Sequence, residues 1–287
     1  MADLNTWSDV SSIAQRIEHD AYLIVREKGT MQGVVETFRD ASGMNTRRGY
    51  KYNSATANEI GDEDDLTSSA FTPEADQTLT PIQIGQQFFI TDARAKSMLP
   101  EQIIKDAAIE LGLAALDKVE TDLYGDMELL TGGTVGTAGS AATWAYVGAA
   151  IAQARAASKS PSVPLNVVIH GYSYQVLATA ASIAASTQPT AIQFTEEMTR
   201  RGYVKTFMGA DIYQSFQDPD GSDDFAGGCF PKQAIAIDWR QPIRVEPQRD
   251  ASRRGWEFNM SAIYAHGIWR PDLGVVLLLD ANAPTGV

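Results

Sequence analysis

A strand-to-helix turn at residues 170–175 carries the sharpest catalytic pattern in the sequence. Its residues, HGYSYQ, nearly match the G-x-S-x-G elbow that presents a nucleophilic serine at a tight turn. Asp211, Asp238 and then His266 follow in the chain order that α/β-type serine hydrolases use. The pattern raises the hypothesis of a serine hydrolase that uses Ser173 and His266.

Three features of the sequence count against catalysis. Gln175 replaces the second glycine of the elbow and would crowd the turn. No glycine-rich oxyanion segment lies upstream, and the first hundred residues lack the alternating strands and helices that such an enzyme needs. We therefore predict no catalytic residues, and we expect Ser173 to cap the helix that follows it.

An acidic run at residues 62–65 is the clearest candidate for binding a metal ion. Clustered carboxylates suit Ca²⁺, but the run lacks the alternating ligand spacing, the central glycine and the final glutamate of an EF-hand loop. The three histidines lack zinc-site spacing, and Cys229 is the only cysteine. We predict neither a metal site nor a cofactor.

The same acidic run has a basic counterpart near the C-terminus. Arginines alternate there with tryptophans, which is a pattern that also occurs in nucleic-acid stacking sites. The formal net charge of −13 disfavours binding to the phosphates of nucleic acid. Salt bridges between subunits are therefore the plainer interpretation of these arginines. The candidate inter-subunit residues are Asp62, Glu63, Asp64, Asp65, Arg240, Arg244, Arg249, Arg253 and Arg254.

Composition is typical of a globular protein. The chain has 287 residues, of which 44% are hydrophobic, enough for one large or two ordinary domains. No apolar run reaches 18 residues, and the N-terminus is polar and acidic, so we expect neither a membrane span nor a signal peptide. The chain is expected to stay in the cytoplasm where it is made.

The longest helical pattern runs from Pro100 to Leu130, and the other elements arrange themselves around it. A helix of that length would be a rod of about 45 Å, which normally bridges parts of a protein. Its apolar stripe is wide up to Val119 and narrower afterwards. We expect C-terminal strands to cover the first half and the second half to be exposed.

The remaining patterns predict a mixed α/β order. A polar, acidic connection between residues 53 and 78 has no core of its own and predicts an arm that reaches away from the body. The C-terminal strands predict an antiparallel meander. Helices are predicted at 6–28, 144–158, 172–185 and 193–201, and strands at 34–38, 47–52, 82–90, 165–170, 210–215, 233–238, 243–246, 256–269 and 274–279.

This order of parts resembles the major capsid proteins of tailed bacteriophages, which have the Hong Kong 97-type fold. The phrases that look like the family's are FFITDARAKSMLPEQIIKDAAIELGLAALDKVETDLYGDM, LNVVIHGYSYQVL, MGADIYQS and IRVEPQRDASRRGWEFNMSAIYAHGIWRPDLGVVLLLDA. The resemblance implies an α+β fold with five parts. They are an N-terminal arm (1–30), an extended β-hairpin loop (31–93), a spine helix (94–131), an axial domain (132–240) and peripheral β-strands (241–287).

The same resemblance implies a structural protein that self-assembles. Hexamers and pentamers of the chain would form an icosahedral shell around double-stranded DNA, without sequence-specific binding and without a membrane. Portal and possible decoration proteins are implied partners. The chain begins close to its arm, so we expect a separate scaffolding protein. An encapsulin-like nanocompartment, with the same fold and an enzyme cargo, remains the alternative.

Overall fold

A computed structural model describes residues 30–39, 46–52, 55–57, 59–60, 68, 70–93, 100–185, 206–217 and 227–283. Three predicted features lie outside these residues: the N-terminal helix at 6–28, the acidic run at 62–65 and the helix at 193–201.

Helices of three turns or more occur where hydrophobic periodicity predicts them. The long helix begins at Pro100, whose missing N–H costs nothing in a first turn. It continues beyond Gly125 as one 3₁₀ turn, Asp126–Leu129. The α-helices of the described part of the chain are α1 (Met31–Val34), α2 (Pro100–Gly125), α3 (Trp144–Ser158) and α4 (Gly171–Ala185).

A four-stranded sheet contains the longest strands, in the order β1-β10-β11-β4. Two predicted strands merge into the single strand β10, whose register shifts around Pro242, a residue that cannot donate to the ladder. A polar turn at residues 251–254 joins β10 to β11. The strands are β1 (Glu36–Arg39), β4 (Ile82–Thr91), β10 (Ile235–Asp250) and β11 (Gly255–Ile268).

A second sheet has six strands in the order β5-β12-β9-β6-β8-β7. Its strands β6 and β8 have the predicted bounds and pair in parallel. The strands are β5 (Thr134–Gly136), β6 (Leu165–His170), β7 (Thr206–Phe207), β8 (Ala210–Ser215), β9 (Gly227–Phe230) and β12 (Val275–Leu278).

The part of the chain predicted as an extended loop (31–93) contains a two-stranded antiparallel hairpin. Its strands are β2 (Arg47–Tyr52) and β3 (Pro73–Leu79), with Arg47 opposite Leu79. Just before it, the expected strand at 34–38 is shifted, because residues 31–34 form α1 and β1 begins only at Glu36.

The prediction that β12 joins the C-terminal meander is wrong. Strand β11 is already paired on both edges, with β10 and with β4. Strand β12 instead crosses to the six-stranded sheet, where it lies parallel to β5 and antiparallel to β9. A continuous Val-Val-Leu-Leu run suits this position, because apolar residues are needed on both faces of the strand.

The prediction that the second half of α2 is exposed is also wrong. Leu111, Ala115 and Leu116 pack against the four-stranded sheet, as expected. The later part is buried more deeply, because residues of both sheets converge on it. The buried side chains are Val119, Leu123 and Tyr124 of α2, followed by Met127 and Leu130 just beyond it. They meet Ile235, Ile237 and Tyr264 of one sheet and Val168, Phe230 and Val276 of the other.

The opposite face of the six-stranded sheet has a core of its own. Val167 faces this core and Val168 faces α2, as strand alternation requires. Helix α3 covers it with Val147 and Ile151. Cys229 is fully buried there, and burial raises the pKa of its thiol to about 12.

A buried glutamate links α1 to α2, a contact that no sequence pattern predicted. Glu120 accepts a hydrogen bond from the backbone N–H of Met31 at 2.8 Å. Burial raises the pKa of Glu120, and backbone N–H groups at residues 30–32 partly offset the rise. This contact holds α1, at the start of the described residues, against α2.

Truncating Leu123 to alanine should destabilise the chain by about 2 to 5 kcal/mol, because it opens a cavity where both sheets meet α2. Leu123 is fully buried, whereas Leu129, six residues further on, is 55% exposed. Leu129→Ala is therefore the matched control, with an expected cost of about 0.5 kcal/mol or less. Urea unfolding of the unassembled chain measures both, and equal costs would contradict the assigned packing.

Candidate assembly surfaces

The outer face of the hairpin carries exposed aromatic side chains. Burial alternates along β2, so Arg48, Tyr50 and Tyr52 point away from the body. Tyr50 is 58% exposed and Tyr52 is 50% exposed. The ring of Tyr52 stacks on that of Phe71 at 4.5 Å between centroids, and Phe71 is itself 75% exposed. Aromatic surface of this kind, left uncovered by the described part of the chain, is typical of a contact with another protein.

A second aromatic group lies where β6 passes into α4. The rings of His170, Tyr172 and Phe216 meet edge to face at centroid distances of 5.0 to 6.0 Å. Phe216 is 68% exposed. Sequence reasoning missed this group, because Phe216 follows a strand without any periodic signal and only the parallel pairing of β6 with β8 brings it to His170.

The five candidate arginines lie on β10 or in the turn that follows it. Arg249 binds Asp92 through two hydrogen bonds of 2.6 and 2.8 Å, and the pKa of Arg249 is raised chiefly by this bond. Arg244 pairs with Glu246 at 2.9 Å. Exposed pairs such as these contribute little to stability.

The other three arginines differ in accessibility. Arg240 is largely buried and binds Asp238 at 2.9 Å. Arg253 is exposed, 3.6 Å from Glu257, with its guanidinium over the ring of Phe89. Arg254 is exposed and has positive φ at the tip of the turn, and no carboxylate of the described residues pairs with it.

Ser173 and His266 are not brought together as a catalytic pair. Ser173 is fully buried, and its hydroxyl donates to the carbonyl of Asp280 at 2.6 Å. The expectation that Ser173 caps its helix is therefore wrong, since the hydroxyl binds the C-terminal segment instead. His266 lies on β11, in the other sheet, with carboxylates as its polar partners. Within the described residues no hydrogen bond joins Ser173 to His266.

His266 belongs to a polar cluster that connects β11 to the end of α2. Its Nδ1 lies 2.9 Å from Asp126 and its Nε2 lies 3.7 Å from Asp122. Asp122 also accepts hydrogen bonds from Tyr264 and Lys118, each at 2.6 Å. Burial lowers the pKa of His266, but the bond to Asp126 and the charges of both carboxylates raise it above its usual value.

Neither a metal site nor a membrane span emerges from the residues that the structure describes. No three acidic, histidine or cysteine side chains cluster as metal ligands there. None of the described helices is long and apolar enough to cross a membrane.

Comparison with known proteins finds similarity in structure only. No family model matches the chain, and no curated protein sequence matches it. A structure titled "Mycobacterium phage Che8" matches with a TM-score of 0.66 and 17% identity, over 87% of this chain and 91% of that one. The acid-stable capsid of Helicobacter pylori bacteriophage KHP30 matches with a TM-score of 0.68 and 12% identity, over 89% and 92%. A virus-like particle from Pyrococcus furiosus matches with a TM-score of 0.60 and 11% identity, over 92% and 98%.

The chain therefore has an α+β fold of the kind from which protein shells are built. It is the Hong Kong 97-type fold of tailed-phage major capsid proteins, as the order of its parts predicted. In these three structures the similarity covers 87 to 92% of the chain.

The His266 cluster should make stability depend on pH. Because the folded pKa of His266 lies above the unfolded value of about 6.5, its contribution is complete below that pH and is lost as pH rises through the folded pKa. Urea midpoints at about pH 5.5 and about pH 8.5 should therefore differ more for the wild type than for His266→Gln. Asp126→Asn should reduce the difference in the same way. An unchanged difference in both variants would contradict the assignment.

Proposed function

We propose that the chain is the major capsid protein of a tailed bacteriophage. In this role it self-assembles into hexamers and pentamers of an icosahedral shell that encloses double-stranded DNA. The observation that carries the proposal is the match in fold to capsid structures over about nine tenths of the chain. The function is structural, with no enzymatic step, and the protein resides in the virion after assembly in the host cytoplasm.

Two physical features support this role. The exposed rings of Tyr50, Tyr52 and Phe71 offer a surface that a neighbouring subunit would bury. The net charge of −13 favours a shell wall that repels packed DNA and does not adhere to it. Separate scaffolding, portal and decoration proteins would complete the particle.

Negative-stain electron microscopy of the purified protein, alone and with its scaffolding protein, tests the proposal. Closed shells of uniform size are the expected result. Monodisperse monomers or dimers under every assembly condition would overturn it.

An encapsulin-like compartment is the second candidate, favoured by the match to the Pyrococcus furiosus virus-like particle. The content of purified shells distinguishes the two functions. Double-stranded DNA inside particles from the native source supports the capsid, whereas an enzyme cargo without DNA supports the compartment.

The double variant Tyr50→Ser/Tyr52→Ser should fold normally but assemble poorly. Both rings are exposed in the single chain, so their loss costs the subunit little, while a neighbour would lose apolar contact area. Tyr50→Phe/Tyr52→Phe keeps the rings and is the matched control. Light scattering and electron microscopy measure assembly, and circular dichroism checks folding. Normal shells from the serine variant would exclude the hairpin face as a contact.

The acidic run and the late arginines remain proposed partners across a subunit boundary. We expect Asp64→Lys/Asp65→Lys to leave the subunit folded and to impair assembly. Since Arg254 is the candidate arginine without a carboxylate partner among the described residues, Arg254→Glu should restore part of the assembly lost in that variant. Normal shells from the double variant would remove the ionic contact.

A further inference from the structure

The inner face of the hairpin is matched closely to the body. Arg47, Gly49 and Lys51 alternate with the outward-facing residues of β2 and point inward. At Gly49 a Cβ atom would lie 2.6 Å from the ring of Trp269, so only glycine lets the strand lie this close. Phe38 meets the same ring edge to face at 5.3 Å.

A buried carboxylate lies beneath this contact. Asp238, the fourth residue of β10, is fully buried between β1 and β11. Its Oδ2 binds Arg47 Nε at 3.0 Å and Arg240 Nη2 at 2.9 Å. The guanidinium of Arg47 also lies 4.4 Å from the ring centre of Phe38. A carboxylate so far from water needs such cationic partners, and one of these two comes from the hairpin.

The rim of the contact is weaker. Lys51 Nζ lies 3.3 Å from Asp272, which also accepts a hydrogen bond from Arg270. Burial raises the pKa of Asp272, but Arg270 and Lys51 together lower it below its usual value. All three side chains are partly exposed, so water and salt screen the pair. The contact between Arg47 and the buried Asp238 therefore contributes more to holding the hairpin than the pair of Lys51 and Asp272 does.

We propose that Arg47 and Asp238 form a latch that fixes the direction of the hairpin on the body. A hairpin of two strands is marginally stable by itself, so its own ladder does not set where it points. The latch sets that direction because Asp238 is held in the four-stranded sheet, where Arg240 of the body binds the same carboxylate oxygen. Arg47 and Asp238 are thus positioning residues for the aromatic outer face.

Hydrogen exchange in the unassembled chain tests the latch with a matched pair of variants. Arg47→Gln removes the hairpin's half of the ion pair and leaves Asp238 bound to Arg240. Arg48→Gln makes the same charge change at the next residue of β2, whose side chain points outward. Amide exchange in β2 and β3 should rise roughly tenfold in Arg47→Gln and less than about twofold in Arg48→Gln, with β11 unchanged in both. Equal rates in the two variants would overturn the proposal.

A double-mutant cycle separates the latch from a general loss of structure. Asp238→Asn should raise hairpin exchange as much as Arg47→Gln does, and the combined variant should add nothing further. Additive effects would mean that the two residues act independently. If Asp238→Asn fails to fold, the Arg47→Gln and Arg48→Gln pair still decides the question. Because these measurements do not involve shells, their result is independent of the proposed capsid function.

Discussion

The structure depends on the burial of one end of α2 between two sheets. Val119, Leu123 and Met127 occupy a core to which the four-stranded and the six-stranded sheet both contribute. Without this shared core the sheets would be separate layers, because the other core clusters belong mainly to one sheet each. Interiors pack densely, so a helix held from two sides transmits displacement of one sheet to the other. That property suits a subunit whose two sheets must keep a fixed position relative to each other.

Local patterns predicted the elements well and their partners less well. The bounds of α3, β6 and β8 follow from hydrophobic period, caps and prolines, all of which are encoded within a few residues. The partner of β12 depends on which sheet edge is still open, and that is decided by distant strands. The second half of α2 was misjudged for the same reason, because its narrow apolar stripe gives no sign that two sheets cover it.

At the candidate surfaces, too, local features were predicted and long-range partners were not. Sequence identified the arginines of β10 as a basic group, but it did not reveal that Arg249 pairs with Asp92, 157 positions earlier. It also placed Ser173 correctly at a strand-to-helix turn, while the partner of its hydroxyl came from residue 280. The burial of Glu120 and Asp238 was not predicted, since an acidic residue in a helix or strand pattern predicts a solvated face. Long-range polar pairing is thus the part that needed the structure.

The burial of Cys229 makes this chain convenient for chemical mapping. A thiol with no exposed surface and a pKa near 12 stays protonated and shielded, so maleimides and disulfide reagents leave it untouched under native conditions. A cysteine introduced at an exposed position of the hairpin would then be the single reactive thiol of each subunit. The natural sequence therefore serves directly as the background for attaching probes and for cross-linking neighbouring copies, with no prior removal of native cysteine.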